Sequence, residues 1–176
     1  MNWKHMIAAG CLLTTLTFAA CDKDDDDTEL NDTDRTFLMQ AGVSNTVEVG
    51  AGSLALTKST HPQVRAFAQS MVAEHTLAQT DLKNVGTTVG QPVKDSIDPA
   101  HQTIMAHLMT LSGRAFDSAY MHTQVADHTL TLSFFDNEQD NGQHRDVRGY
   151  ADKYRPHIEM HLTRADSIAR AFFRRP

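Results

Sequence analysis

The stretch Pro62–Val85 reads PQVRAFAQSMVAEHTLAQTDLKNV, and its pattern decides the architecture. Val64, Phe67, Ala68, Met71, Val72, His75, Ala78, Leu82 and Val85 recur at helical spacing and line one face. Proline stands at the first helical position, where its missing N–H has no partner to lose. A helix is expected over about 62–89, with Gly86, Gly90 and Pro92 ending it. His75 is a polar group inside an apolar stripe, and an interior polar group needs a partner.

The pattern repeats on either side. A helix from about Asp34 to Ser59, capped by Thr33 or Asp32, places Phe37, Ala41, Ser44, Glu48, Ala51 and Ala55 on one face. After a connection, Asp98-Pro99 signals a shorter helix to about Leu111, and Ser112-Gly113 breaks it. A long helix from about Ala115 to Asp140 is closed by Asn141-Gly142. The last, from about Arg145 to Phe173, has an inner face of Val147, Tyr150, Ala151, Tyr154, His157, Ile158, His161, Leu162, Ala165, Ile168, Ala169 and Phe172. Pro156 within it predicts a kink. No segment reads as a strand. The expected fold is all-α: an up-down four-helix bundle of ferritin-like type, over 34–176, with a short extra helix in the crossover connection.

Internal repeats support this arrangement. Phe37 and Glu48 match Phe116 and Asp127 at equal separation, and Val64-Arg65-Ala66-Phe67-Ala68 matches Val147-Arg148-Gly149-Tyr150-Ala151. The first pair of helices thus looks duplicated as the last pair. A further match, Val72-Ala73-Glu74-His75-Thr76-Leu77 with Val125-Ala126-Asp127-His128-Thr129-Leu130, relates the second helix to the third and does not fit that duplication.

The N-terminal segment has a different character. Lys4 precedes an apolar run from Ile7 to Phe18, then Ala19, Ala20 and Cys21. The run is too short to span a bilayer and suits a signal peptide over 1–20. Cys11 would leave with it, so Cys21 becomes the lone thiol of the mature chain, at its first position. Leu16-Thr17-Phe18-Ala19-Ala20-Cys21 resembles the lipobox of bacterial lipoproteins, departing from it at Phe18 where Leu is usual. Lipidation of Cys21 would anchor the chain to a membrane. Asp22–Asp34 then carries eight acids against one base, Lys23, while residues 35–176 are formally neutral. The acidic segment, residues 21–33 with the cysteine, is expected to be a disordered tether. Cys21-Asp22-Lys23-Asp24-Asp25 also resembles a surface-export signal of some Gram-negative lipoproteins. The expected location is the cell envelope, at the outer membrane on its periplasmic or surface face. With no basic patch beyond Arg170, Arg174 and Arg175 at a helix end, nucleic acid is not an expected partner.

The bundle's candidate chemistry lies in acids and histidines. Ferritin-like metal proteins place a lone carboxylate on each of two helices and an acid with a histidine three residues on from each of the other two. Glu48 and Asp127 match the lone carboxylates, and Glu74, His75, His128, His157 and His161 complete the inward set. The di-iron spacing is missing, since Leu77 follows Glu74 three residues on and Met160 follows His157. His157 and His161, four apart, would share one metal. Zinc, copper and iron all suit such donors. The plainer reading makes each histidine a hydrogen-bonded core or boundary group. No nucleophile elbow or phosphate loop is present, so no catalytic residue is assigned.

These residues also carry a family resemblance. Phe37 with Glu48, Val64 to His75, Leu111 to Tyr120, Asp127-His128 and Pro156 to Leu162 together resemble the bacterial domain of unknown function numbered 4142. That resemblance implies export and a ferritin-like fold, and no established reaction. Its recurring histidines correspond to His75, His128 and His161. Two functions follow as expectations: an envelope lipoprotein that binds a metal ion, or a structural or interaction lipoprotein that binds none.

Overall fold

The helices begin and end where local chemistry demands. In the computed structural model, which describes residues 29–173, α1 runs Asp32–Lys58. Its cap is Asn31 rather than Thr33 or Asp32: the Asn31 side chain accepts from Asp34 N while the Asp34 side chain accepts from Asn31 N, a reciprocal capping box. The helix therefore starts inside the stretch expected to be tether, and Leu30 already packs against the core. Helix α2, Pro62–Thr88, starts on its proline. It runs straight through Gly86, whose lack of a side chain makes room for the returning chain: a Cβ there would sit 2.6 Å from the Gln91 carbonyl oxygen. Helix α3, Pro99–Thr110, is capped by the Asp98 side chain on His101 N. Helix α4 runs Gly113–Asn141, and α5 runs Arg145–Phe172 as one continuous helix through Pro156. The signal-peptide, Cys21 and tether assignments at residues 1–28, and Arg174 and Arg175, lie outside the described residues.

Helix α1 packs on α2 and α4, and α5 packs on α4 and α2. Cross-helix pairs set the directions. Ser44 meets Thr131 and Glu48 approaches His128, so α1 and α4 are antiparallel. Glu74 meets His161 and Asp81 meets Tyr154, so α2 and α5 are antiparallel too. Helices α2 and α4 then run parallel on one diagonal, and α3 lies within the long crossover that joins them. This is the expected all-α bundle.

The core is layered. One apolar layer gathers Phe67, Met71, Phe116, Tyr120, Met121 and Ala165, and the other gathers Phe37, Leu82, Phe135, Tyr150 and Ile158. Between them, on all four long helices, lie buried polar groups: Asn45, Glu48, His75, Gln79, Gln124, His128, Thr131 and His161. Each apolar layer removes several large side chains from water, at roughly 1.5–3 kcal/mol apiece. A polar layer between them offers no such return unless its groups are satisfied or used. Among the described residues, no helix is long and apolar enough to cross a membrane.

Candidate metal centre

His75, His128 and His161 come together in that polar layer. Their ring centroids lie 5.7, 5.3 and 5.5 Å apart for the pairs 75–128, 75–161 and 128–161. One ring nitrogen from each lies within 4.8 Å of the other two. All three residues are at least 98% buried.

The hydrogen bonds sort the six ring nitrogens into two sets. His75 Nδ1 lies 2.9 Å from Asn45 Oδ1. The Asn45 amide nitrogen donates to Gln79 Oε1 and Tyr150 Oη, so its oxygen is left as an acceptor and the histidine must donate. His128 Nδ1 lies 2.9 Å from the Gln124 carbonyl oxygen, again a pure acceptor. His161 Nε2 lies 3.0 Å from Glu74 Oε2. Each ring therefore donates one N–H outward, which fixes its tautomer. The remaining nitrogens, His75 Nε2, His128 Nε2 and His161 Nδ1, are buried without a hydrogen-bond partner. They are the lone-pair nitrogens, one from each ring.

Burial also removes the proton that would compete for those lone pairs. It pushes the His75 imidazole well below its ordinary pKa, with His128 and His161 adding to the effect, and brings His128 down to about 3. His161 is lowered by burial against the opposing pull of Glu74. All three are neutral at physiological pH. A neutral imidazole whose far nitrogen is held by an oxygen acceptor has the tautomer and orientation that metal ligation requires.

The other four expected ligands take different positions. Glu48 is buried, with Oε1 3.7 Å from His128 Nδ1, the nitrogen committed to Gln124. It thus stands behind His128, outside the convergent triad. Burial pushes its carboxyl up to about 8, with the Asp127 charge adding and the Gln124 amide opposing. Glu74 orients His161 from the rim. His157, on the expected inner face, turns outward: its side chain is 49% exposed, and its Nδ1 lies 3.5 Å from Glu74 Oε2. Asp127 faces away, toward His101 Nε2 at 3.8 Å, and lines with Glu48 and Asp98 a cavity of about 250 Å³ between α1 and α4. Its position follows from helix geometry: His128 points inward, so the preceding residue is swung about 100° round the axis.

Asn45 and Gln124 went unread as parts of the site. Asn45 lies three residues before Glu48 on the inward stripe of α1, and Gln124 lies four before His128. For Asn45 the signal was a polar residue at a core-facing position; Gln124 serves through its backbone carbonyl, which no residue type announces.

A bundle of this class, built around a buried polar layer, has known relatives. The chain matches the family described as "Domain of unknown function (DUF4142)" over residues 19–168, and it belongs to that family. No curated protein matches it. Among solved structures it is similar to a DUF305 fragment from Deinococcus radiodurans, at 13% identity and a TM-score of 0.72, covering 81% of this chain and 99% of that one. It is also similar to CopM in the Ag-bound form, at 14% identity and a TM-score of 0.66, covering 80% and 98% of the two chains. CopM in the Cu(I)-bound form gives 14% identity and a TM-score of 0.67 over the same shares. At such identities the likeness is one of fold.

Proposed function

We propose that this protein is a cell-envelope lipoprotein whose helical bundle binds a single transition-metal ion, copper(I) by preference, through His75, His128 and His161. The observation that carries the reading is the division of ring nitrogens. Three are held outward by oxygen acceptors, and the three facing one another have no partner. Leaving a buried acceptor unpaired costs about 1–3 kcal/mol. Three together are costly unless something occupies the space between them.

The choice of metal follows from charge and donor type. The donors are three neutral nitrogens, and burial keeps the carboxyl enclosed with them in the polar layer, Glu48, protonated up to about 8. A buried ion pays for desolvation roughly as the square of its charge, so a monovalent ion suits a neutral cage better than a divalent one. Imidazole is a good ligand for copper. CopM, of the same fold, has been solved with silver and with copper bound. Zinc, with its preference for four ligands, would need a fourth group.

The anchoring part of the reading rests on sequence: the lipobox-like segment ending at Cys21 and the acidic tether after it. Both support an envelope location with the bundle tethered to the outer membrane. Mass spectrometry of the mature N-terminus should find acyl chains on Cys21, and a free thiol there refutes the anchor.

The metal test is elemental analysis of protein loaded with Cu(I) and desalted. Wild type should retain about one copper per chain, as three convergent ligands imply. The H75Q/H128Q/H161Q variant should retain none while keeping its helical circular dichroism. Equal copper in both proteins overturns the centre.

A further inference from the structure

The three-histidine centre is closed off by apolar layers above and below, so an ion must reach it from the side. The cavity of about 250 Å³ between α1 and α4 touches the polar layer at Glu48, and the one between α1 and α2 touches it at Asn45. Neither is lined by His75, His128 or His161. A small cavity of about 50 Å³ between α2 and α5 is different: His75 and His161 line it, and so do Glu74 and His157.

One carboxylate oxygen joins the inside of this seam to the outside. Glu74 Oε2 is 3.0 Å from Nε2 of His161, whose side chain is 3% exposed. The same oxygen is 3.5 Å from Nδ1 of His157, whose side chain is 49% exposed. Glu74 itself is 37% exposed. An oxygen and a nitrogen donor thus stand at the surface directly above a centre histidine. His157 and His161 are one helical turn apart on α5, so their rings rise on the same side. Pro156, immediately before His157, has no N–H to give the preceding turn, so the helix beneath His157 lacks one of its backbone hydrogen bonds.

We infer that Glu74 and His157 form a receiving site, which captures a copper(I)-class cation at the α2–α5 seam and passes it to His161 and the buried centre. The inference rests on the reading of the three histidines as a metal centre. The carboxylate draws cations to the mouth of the seam. Glu74 and His157 replace part of the ion's hydration before burial, so the ion is never stripped of donors on the way in. A cation arriving on Glu74 competes with the hydrogen bond from His161 Nε2–H, which frees that ring to turn and take the ion on its lone-pair nitrogen, Nδ1, with the Nε2 proton kept. Exchange proceeds ligand by ligand, with no change of oxidation state.

The experiment follows Cu(I) transfer to the full chain, without oxygen, from a coloured chelator by stopped-flow absorbance. H157N removes the outer nitrogen ligand. E74Q keeps an acceptor for His161 Nε2 and removes the charge. H157N should slow loading and release together by about tenfold, the order of effect that a local capture site has on association. E74Q should slow loading at low salt, and rising ionic strength should shrink the difference. Wild-type loading rates in both variants overturn the receiving site and leave the centre standing. So does weaker affinity at an unchanged loading rate in H157N, which would make His157 a resident ligand. If wild type takes up no copper at all, the centre itself fails. Circular dichroism of both variants should match wild type, since each side chain is more than a third exposed.

Discussion

Among the buried ionisable groups of this bundle, the polar-layer histidines and Asp34 are handled in opposite ways. In the polar layer, three histidines lose their protons to burial and keep unpaired nitrogens directed at one another. Where α1 begins against the α4–α5 turn, Asp34 and Glu138 are both fully buried. Asp34 accepts from the backbone N–H groups of Asn31, Gln143 and His144, which ties the start of α1 to the far turn. Burial, with Asp34 as the next cause, pushes the Glu138 carboxyl up to about 9. Asp34 spends its lone pairs on the fold's own backbone. The histidines hold theirs back. The difference separates a group that staples structure from groups whose lone pairs stay available.

The comparison breaks first at Asp34. Asp34→Ala should lower stability by about 3 kcal/mol in urea unfolding, because it removes a capping box and leaves buried N–H groups unpaired. Copper affinity should stay at the wild-type value, and a matching loss of affinity would mean that the two regions are one unit. Next is the support of the centre. Asn45→Leu removes the acceptor that fixes the His75 tautomer and should weaken copper binding about 10–100-fold by chelator competition, beside a folding loss of about 1–3 kcal/mol from the buried groups it leaves unpaired. Unchanged affinity would leave the outward hydrogen bond without a role.

The finest test is the pH dependence of the copper-free protein. A histidine with a lowered pKa leaves the unfolded chain holding more protons. Its share of stability is complete above about 6.5 and falls as pH drops, by about 1.4 kcal/mol per unit, down to about 3 for His128. A carboxyl with a raised pKa does the reverse. For Glu138 the stability present below about 4.5 is lost as pH climbs to about 9. In urea titrations His128→Leu should flatten the acid limb and Glu138→Gln the alkaline one. If either substitution flattens the other's limb, the two regions are not titrating separately.

Much of this was legible from residue order. Pro62, Asp98-Pro99 and Asn141-Gly142 mark real helix boundaries, because proline and glycine act on their own backbone. The α1 start was misplaced because Asp34 looks like a first-turn acid, and its reciprocal bond with Asn31 appears only once the turn is built. The match of residues 72–77 with residues 125–130, which the duplication leaves unexplained, has a structural reason. Helices α2 and α4 run parallel on one diagonal, and the two runs have the same burial pattern, with His75 and His128 inward and Leu77 and Leu130 exposed.

By itself, then, the sequence determined the helices, their faces and the inward direction of His75, His128 and His161, since helical period and local capping act within a few residues. Only the tertiary structure decided which inward groups meet. Helix rotation turned Asp127 and His157 out of the centre, and the opposed apolar layers set the height at which three rings converge. The outward partners Asn45, Gln124 and Glu74 left one nitrogen of each ring free. The Gln124 carbonyl lies one turn from His128 on the same helix, but the Asn45–His75 and Glu74–His161 pairs join residues 30 and 87 apart in the chain, where no local rule reaches.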